Sequence, residues 1–169
     1  YKKSIDYNVD RIRFQIFTAL FGAVVLIIFT LGGLFNFLAE IVVSTTSSDV
    51  LGAVLLGLLL LIVEQVISIP ISIYSTFVIE EKHGFNKTTT KTFVTDMFKS
   101  LLISATISSI IYATVIYIVV NLGDNWWIYA FGAVFILQAI IFFLYPVLIM
   151  PLFNKFEPLD NEEFKKPIE

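Results

Sequence analysis

The chain has 169 residues, of which 57% are hydrophobic and only 15% are charged, and its net charge is −3. Ordinary globular chains carry roughly 25% charged residues, and a soluble domain of this length could not bury so much apolar surface. The small net charge and the lack of a basic stripe exclude nucleic acid as an expected partner. The composition therefore predicts a membrane protein with the lipid bilayer as its main partner.

The potential ligands for metals are few. The chain has no cysteine and a single histidine, His83. Disulfides and thiolate chemistry are thereby excluded, as is any ordinary zinc site built from several histidines. We expect this chain by itself to bind no metal and no cofactor.

The two ends of the chain are polar. The stretch that begins at Tyr1 has neither the apolar core nor the cleavage site of a signal peptide. We interpret the chain as a piece of a longer protein, with a membrane domain at 1–159. Residues 160–169 are expected to begin a C-terminal cytoplasmic domain that is missing here.

Four apolar runs are long enough to cross a bilayer, which takes about 20 residues for about 30 Å of hydrocarbon. Their apolar residues are continuous rather than alternating, and an open sheet edge cannot face lipid. The sequence therefore predicts an all-α integral membrane fold of four antiparallel helices. The predicted helices lie at about 14–39, 50–79, 101–122 and 126–150.

The cations predict the orientation. All 11 Lys and Arg residues lie in the N-terminal flank, in the loop between the second and third helices, or in the tail. Four helices bring these segments to one side, and the positive-inside rule assigns that side to the cytoplasm. Both termini are then cytoplasmic, in an endoplasmic reticulum membrane or a bacterial inner membrane.

An ionisable residue, Glu64, lies near the middle of the second predicted helix. A charge there costs about 3 kcal/mol on insertion scales. It could line a polar cavity or an ion path, or it could hydrogen-bond to Gln138 or to a Ser or Thr. With Pro70, which should kink the same helix, the first interpretation allows a self-sufficient four-helix module such as a transporter subunit or an assembly factor.

Two polar segments are distinctive. After the second helix the chain reads EEKHGFNKTT, in which Gly84 permits a tight turn, and Asp96 and Lys99 then follow at a spacing that pairs charges on one helical turn. At the end of the fourth helix, Pro146 and Pro151 disfavour a regular helix.

These segments carry a resemblance to a known family. SIPISIYSTFVIEEKHGFNKTT, FVTDMFK, NWWIYA and YPVLIMPLFNKFEPLDNEEFKKPIE follow one another in the chain. In this order they resemble the integral-membrane CAAX prenyl protease family, the a-factor-converting zinc metalloendopeptidases. The resemblance implies a larger helical barrel around a water-filled chamber, with one more transmembrane helix upstream of Tyr1.

The resemblance also implies an activity and a cofactor. The resemblance implies cleavage of the last three residues from prenylated CAAX proteins or peptides, or the processing of membrane proteins. Zinc is held by the two His of an HExxH helix and a later Glu, and the Glu inside the motif is the general base. This chain has no HExxH, so it should lack catalytic and zinc-binding residues. The zinc of the full-length parent would be held by a C-terminal catalytic domain.

The motif matches transfer a set of residues to the chamber wall and its cytoplasmic lip, where they should dock the catalytic domain. These residues are Pro70, Tyr74, Glu80, Glu81, His83, Gly84, Phe85, Asn86, Asp96, Lys99, Tyr145, Pro151, Phe153, Asn154 and Phe156.

Overall fold

The computed structural model describes residues 2–154, with side chains from Ser4 onward. This part of the chain is helical and contains no strand. Its α-helices, in chain order, are α1 (Lys2–Leu31), α2 (Leu34–Thr45), α3 (Asp49–Tyr74), α4 (Thr90–Asn121), α5 (Trp126–Leu144) and α6 (Met150–Phe153). A π-helical turn at Ser75–Glu80 extends α3, a second at Tyr145–Ile149 joins α5 to α6, and a 3₁₀ turn at Gly123–Asn125 joins α4 to α5.

The predicted all-α fold with four membrane spans is confirmed. Four helical stretches are long and apolar enough to cross a membrane: Ser4–Leu31, Asp49–Glu80, Thr90–Asn121 and Gly123–Phe153. Helix α2 is apolar as well, but its 12 residues fall short of the roughly 17 that a crossing requires.

The predicted bounds of the first helix, 14–39, are wrong at both ends. Helix α1 begins at Lys2 and ends at Leu31, and Gly33 then has a φ of 75°, in the left-handed region that glycine enters without strain. A Cβ at Gly32 would overlap the carbonyl oxygen of Ile28. The apolar pattern continues across these two glycines, so hydropathy alone could not locate the break.

Capping residues set the other helix starts. Ser48 Oγ accepts the N–H of Leu51 at the start of α3, and Thr89 Oγ1 accepts the N–H of Thr92 at the start of α4. The third helix was predicted to begin at residue 101, but α4 begins at Thr90. Its first turns are polar, and a search for apolar runs does not detect them.

Pro146 coincides with a change in helix geometry, whereas Pro70 does not. Helix α3 continues through Pro70 to Tyr74 and only then becomes π-helical. Pro146 lies inside the π-helical stretch that follows α5, so regular α-helix ends before the predicted residue 150. Proline removes a backbone donor, and a π-helical turn replaces the regular α-helical pattern around Pro146.

The helices pack in a row. Helix α3 packs against α4, α4 against α5, and α2 against α3, whereas α1 contacts α2 and the π-helical turn at Ser75–Glu80. Arg11, Lys82 and Lys99 thereby lie at one end of the bundle, called the cationic end below. Glu40 and Asp49 lie at the opposite end.

The α3–α4 contact depends on a glycine. Gly57 is buried, and a Cβ at this position would overlap the ring of Tyr112 on α4. Small residues of this kind let helix backbones approach closely in lipid.

We expect Gly57→Ala to destabilise the protein by about 1–3 kcal/mol, because the new methyl group displaces the Tyr112 ring. Thermal unfolding in detergent measures the effect. Gly132→Ala is the matched control, since a Cβ there meets no atom within 4 Å. Equal melting temperatures for the two variants would contradict this account of the α3–α4 contact.

Candidate functional site

The loop that follows α3 is shaped by the residues of its EEKHGFN sequence. Gly84 has a φ of 69°, its N–H donates to Glu81 O at 2.9 Å, and the Phe85 N–H donates to Glu80 O at 2.9 Å. These two bonds form a Schellman cap, the helix ending that favours glycine. Asn86 fixes the loop further, because its Nδ2 donates to Glu81 Oε2 at 2.9 Å.

His83 is turned inward by this loop and is only 7% exposed. Its Nε2 lies 3.0 Å from Oδ2 of Asp10 on α1, and Lys82 Nζ donates to the same oxygen at 2.7 Å. The Tyr7 ring meets the imidazole edge-on at 5.5 Å and lies 4.8 Å from the ring of Phe85. We call these five residues the histidine cluster; it attaches the start of α1 to the end of α3.

Asp10 also forms an ion pair with Lys82. The hydrogen bond from Lys82 and the negative charge of Asp10 raise the pKa of the Lys82 ammonium above its ordinary value. A raised lysine pKa keeps the ion pair intact at neutral pH, and the pair is lost only as the pH rises through that value. The Lys82 side chain is 64% exposed, so solvent screens the pair and His83 is the more important partner.

A polar cleft lies between α3 and α4 at the same end of the bundle. It has a volume of about 380 Å³. Most of its lining is polar, with Phe153 of α6 at its edge. The lining residues are Gln65, Ile69, Ser72, Thr76, Glu80, Thr88, Phe93, Asp96, Met97, Ser100 and Phe153.

Lys99 connects the two motif segments across this cleft. Its Nζ lies 3.3 Å from Asp96 Oδ1, which confirms the predicted ion pair. The same Nζ donates to the carbonyl oxygen of Leu152 at 2.8 Å and lies 5.8 Å from the ring centroid of Phe153. Lys99 thus holds the end of the last membrane span against the start of α4.

The other residues named from the motifs belong to neither the histidine cluster nor the polar cleft, although Tyr74 lines a small cavity together with Asp10 and Lys82 of the cluster. Tyr74 and Pro70 line an apolar cavity between α1 and α3. Tyr145 and Pro151 are exposed, and the N–H of Asn154 donates to Met150 O. Phe156 lies outside the described residues.

Asp10 and Tyr7 are site residues that the sequence did not identify. They lie on one face of α1 at a spacing of three, but nothing in the sequence relates them to His83, which lies 73 positions after Asp10.

Glu64 lines a cavity of about 890 Å³ between α1 and α3, together with Thr18, Asn36 and Ser68. Within residues 4–154 no side chain hydrogen-bonds to the Glu64 carboxylate. The proposed partner Gln138 lies on α5 and makes no such bond. The arrangement favours the cavity interpretation of Glu64 over the hydrogen-bond interpretation.

The residues that the structure describes do not fit a zinc site. Among the described residues no group of three or more His, Asp or Glu side chains could hold a metal ion. The chain's only imidazole is already paired with Asp10 and Tyr7.

The chain is similar to known proteins over its whole length. The family described as CAAX prenyl protease N-terminal, five membrane helices, matches residues 1–155. The probable CAAX prenyl protease 1 of Schizosaccharomyces pombe is 35% identical over 182 residues, covering 100% of this chain and 38% of that protein. CAAX prenyl protease 1 of Saccharomyces cerevisiae is 33% identical over 186 residues, covering 100% of this chain and 40% of that protein.

A solved structure agrees with these matches. The crystal structure of S. mikatae Ste24p superimposes with a TM-score of 0.89 at 33% identity, covering 99% of this chain and 40% of that one. The fold and the site define a helical membrane domain with its polar contacts gathered at one end. The chain belongs to the CAAX prenyl protease family and corresponds to its N-terminal membrane domain.

This chain spans only about two fifths of the length of the relatives that it matches end to end, 38% and 40% in the two yeasts. The comparisons do not favour the alternative of a self-sufficient transporter subunit or assembly factor.

Proposed function

We propose that this chain is the membrane part of a zinc metalloendopeptidase that removes the last three residues from prenylated CAAX proteins or peptides. The observation that carries the proposal is the family match over residues 1–155. The contact of Lys99 with Leu152 supports it, because it joins the two segments that resemble the family at one place.

In this proposal the residues of the chain contribute position rather than chemistry. The zinc ligands and the general base belong to a catalytic domain outside this chain, and the bundle forms part of a barrel around the chamber. Glu80 and Asp96 line the polar cleft and supply acceptors for substrate N–H groups or for side chains of the catalytic domain. Lys99 and the histidine cluster hold the helix ends that surround the cleft.

A peptidase assay tests the activity. The purified full-length protein that contains this chain should release the C-terminal tripeptide from a farnesylated CAAX peptide, as detected by mass spectrometry. Chelation should abolish the release and added zinc should restore it, whereas residues 1–169 alone should release nothing. Cleavage that survives chelation, or cleavage by residues 1–169, would refute the assignment of the chemistry to a zinc-bearing domain.

The proposal also places the cationic end in the cytoplasm, as the distribution of Lys and Arg indicates. The chain has no cysteine, so single cysteines report its topology directly. In sealed membrane vesicles with the cytoplasmic face outward, we expect a membrane-impermeant maleimide to label Ser4→Cys on α1, and to label Ser47→Cys in the α2–α3 loop only after detergent opens the vesicles. The reverse pattern of labelling would contradict this orientation.

A further inference from the structure

Helices α1 and α3 leave a groove between them. They are held together at the cationic end by the histidine cluster and the π-helical turn, and at the other end by α2. Between these contacts lies a cavity of about 530 Å³, lined by Phe14, Phe17, Phe21, Pro70, Ile71 and Tyr74. This cavity shares Phe21 and Ile71 with the larger cavity that contains Glu64, so the two form one groove.

The wall contributed by α1 is a ladder of phenylalanines. Phe14 and Phe17 stack at 6.3 Å between ring centroids, and so do Phe17 and Phe21. Phe14 also meets Tyr74 of α3 at 5.0 Å. Phe17 remains 59% exposed, so the ladder presents an apolar surface that a hydrocarbon chain can cover.

The mouth of the groove carries cations. A smaller cavity of about 310 Å³ shares Phe14 and Tyr74 with the groove and is also lined by Asp10, Arg13 and Lys82. Asp10 neutralises Lys82 at 2.7 Å. Arg13 is exposed and has no hydrogen bond or ion pair to any other described residue.

The length of the groove along α3 suits an acyl chain. Along α3 its lining runs from Tyr74 to Leu60, about 21 Å of helix at about 1.5 Å per residue. One leaflet of a bilayer contributes about 15 Å of hydrocarbon, half of its total core. An acyl chain that enters beside Tyr74 can therefore lie along the phenylalanine ladder over the depth of its own leaflet.

We propose that this groove is a binding site for an anionic phospholipid, with one acyl chain along the phenylalanine ladder and the headgroup phosphate on Arg13. A guanidinium can form paired hydrogen bonds with phosphate oxygens, and Lys82 lines the same small cavity as Arg13. Basic pockets between membrane helices on the cytoplasmic side are typical sites for anionic headgroups. The site is independent of the proposed peptidase activity.

Lipid retention tests the proposal. The full-length protein is extracted under mild conditions from vesicles of equal parts phosphatidylcholine and phosphatidylglycerol, and native mass spectrometry counts the lipids retained. We expect phosphatidylglycerol to predominate, and Arg13→Gln to lower its retention about fivefold. Arg13→Lys should retain it in part. Lys91→Gln is the matched control, because Lys91 is a cation at the same end but does not line the groove.

Ile71→Trp tests the groove itself, because it fills the apolar part without altering a charge. Retention of phosphatidylglycerol should fall in this variant while its melting temperature stays that of the wild type. Equal losses in Arg13→Gln and Lys91→Gln would overturn the proposal, as would equal retention of the two lipids. Stoichiometric displacement of the lipid by a farnesylated peptide would identify the substrate as the occupant and likewise overturn it.

Discussion

Replacing Lys99 by methionine is expected to lower kcat/KM for a farnesylated CAAX peptide about 10- to 100-fold in the full-length protein. Lys99 Nζ contacts the Leu152 carbonyl at 2.8 Å and the Asp96 carboxylate at 3.3 Å. Hydrogen bonds that involve a charged group contribute about 1.5–3 kcal/mol of free energy. A loss of that size in the transition state corresponds to a roughly 10- to 100-fold lower kcat/KM. Without these hydrogen bonds the end of the last membrane span loses its fixed position relative to α4.

Two further variants separate positioning from a general loss of structure. Lys91→Met removes an exposed cation from the same helix, and its activity should equal that of the wild type. Lys99→Arg keeps a donor near Leu152 and should recover part of the lost activity. Full activity in Lys99→Met would show that the contact between the two motif segments has no part in catalysis.

The second large effect is expected at Asp10. Replacing it by alanine leaves His83, which is 7% exposed, without its carboxylate partner. A buried polar group that loses its partner costs about 1–3 kcal/mol, and α1 has few other contacts at the cationic end. We expect a lower melting temperature and faster proteolysis of the region between α1 and α2.

Asp6→Ala provides the control for this prediction. Asp6 is an exposed carboxylate one helical turn before Asp10, and it makes no hydrogen bond or ion pair with the other described residues. Its removal should leave the melting temperature unchanged. In a double-mutant cycle, Asp10→Ala with His83→Leu should be less destabilised than the sum of the two single variants, because each of them already loses the contact. Equal melting temperatures for Asp6→Ala and Asp10→Ala would contradict the structural role of the cluster.

Hydropathy was sufficient to predict the four membrane spans, because long apolar runs in lipid must be helical. Hydropathy was insufficient where glycines or polar residues determine the bounds of a helix. The break at Gly32–Gly33 depends on a left-handed φ, and the early starts of α1 and α4 depend on polar turns outside the hydrocarbon region.

In the candidate site, contacts between residues close in sequence were predictable and contacts between distant residues were not. The Asp96–Lys99 pair follows from helical spacing and was predicted. The contacts of Lys99 with Leu152 and of His83 with Asp10 join residues 53 and 73 positions apart, and no local rule predicts such distant pairs. Recognising the two motifs indicated that Lys99 and His83 matter, but it did not indicate which residues they contact.

A chimera tests most directly the claim that this chain is the membrane part of a CAAX prenyl protease. The part of the S. cerevisiae CAAX prenyl protease 1 that aligns with this chain, at 33% identity, would be replaced by residues 1–169. We predict that the purified chimera releases the C-terminal tripeptide from a farnesylated CAAX peptide, and that Lys99→Met lowers this activity in the chimera by the same roughly 10- to 100-fold that we expect in the parent. A folded, zinc-loaded chimera that releases no tripeptide would contradict the account.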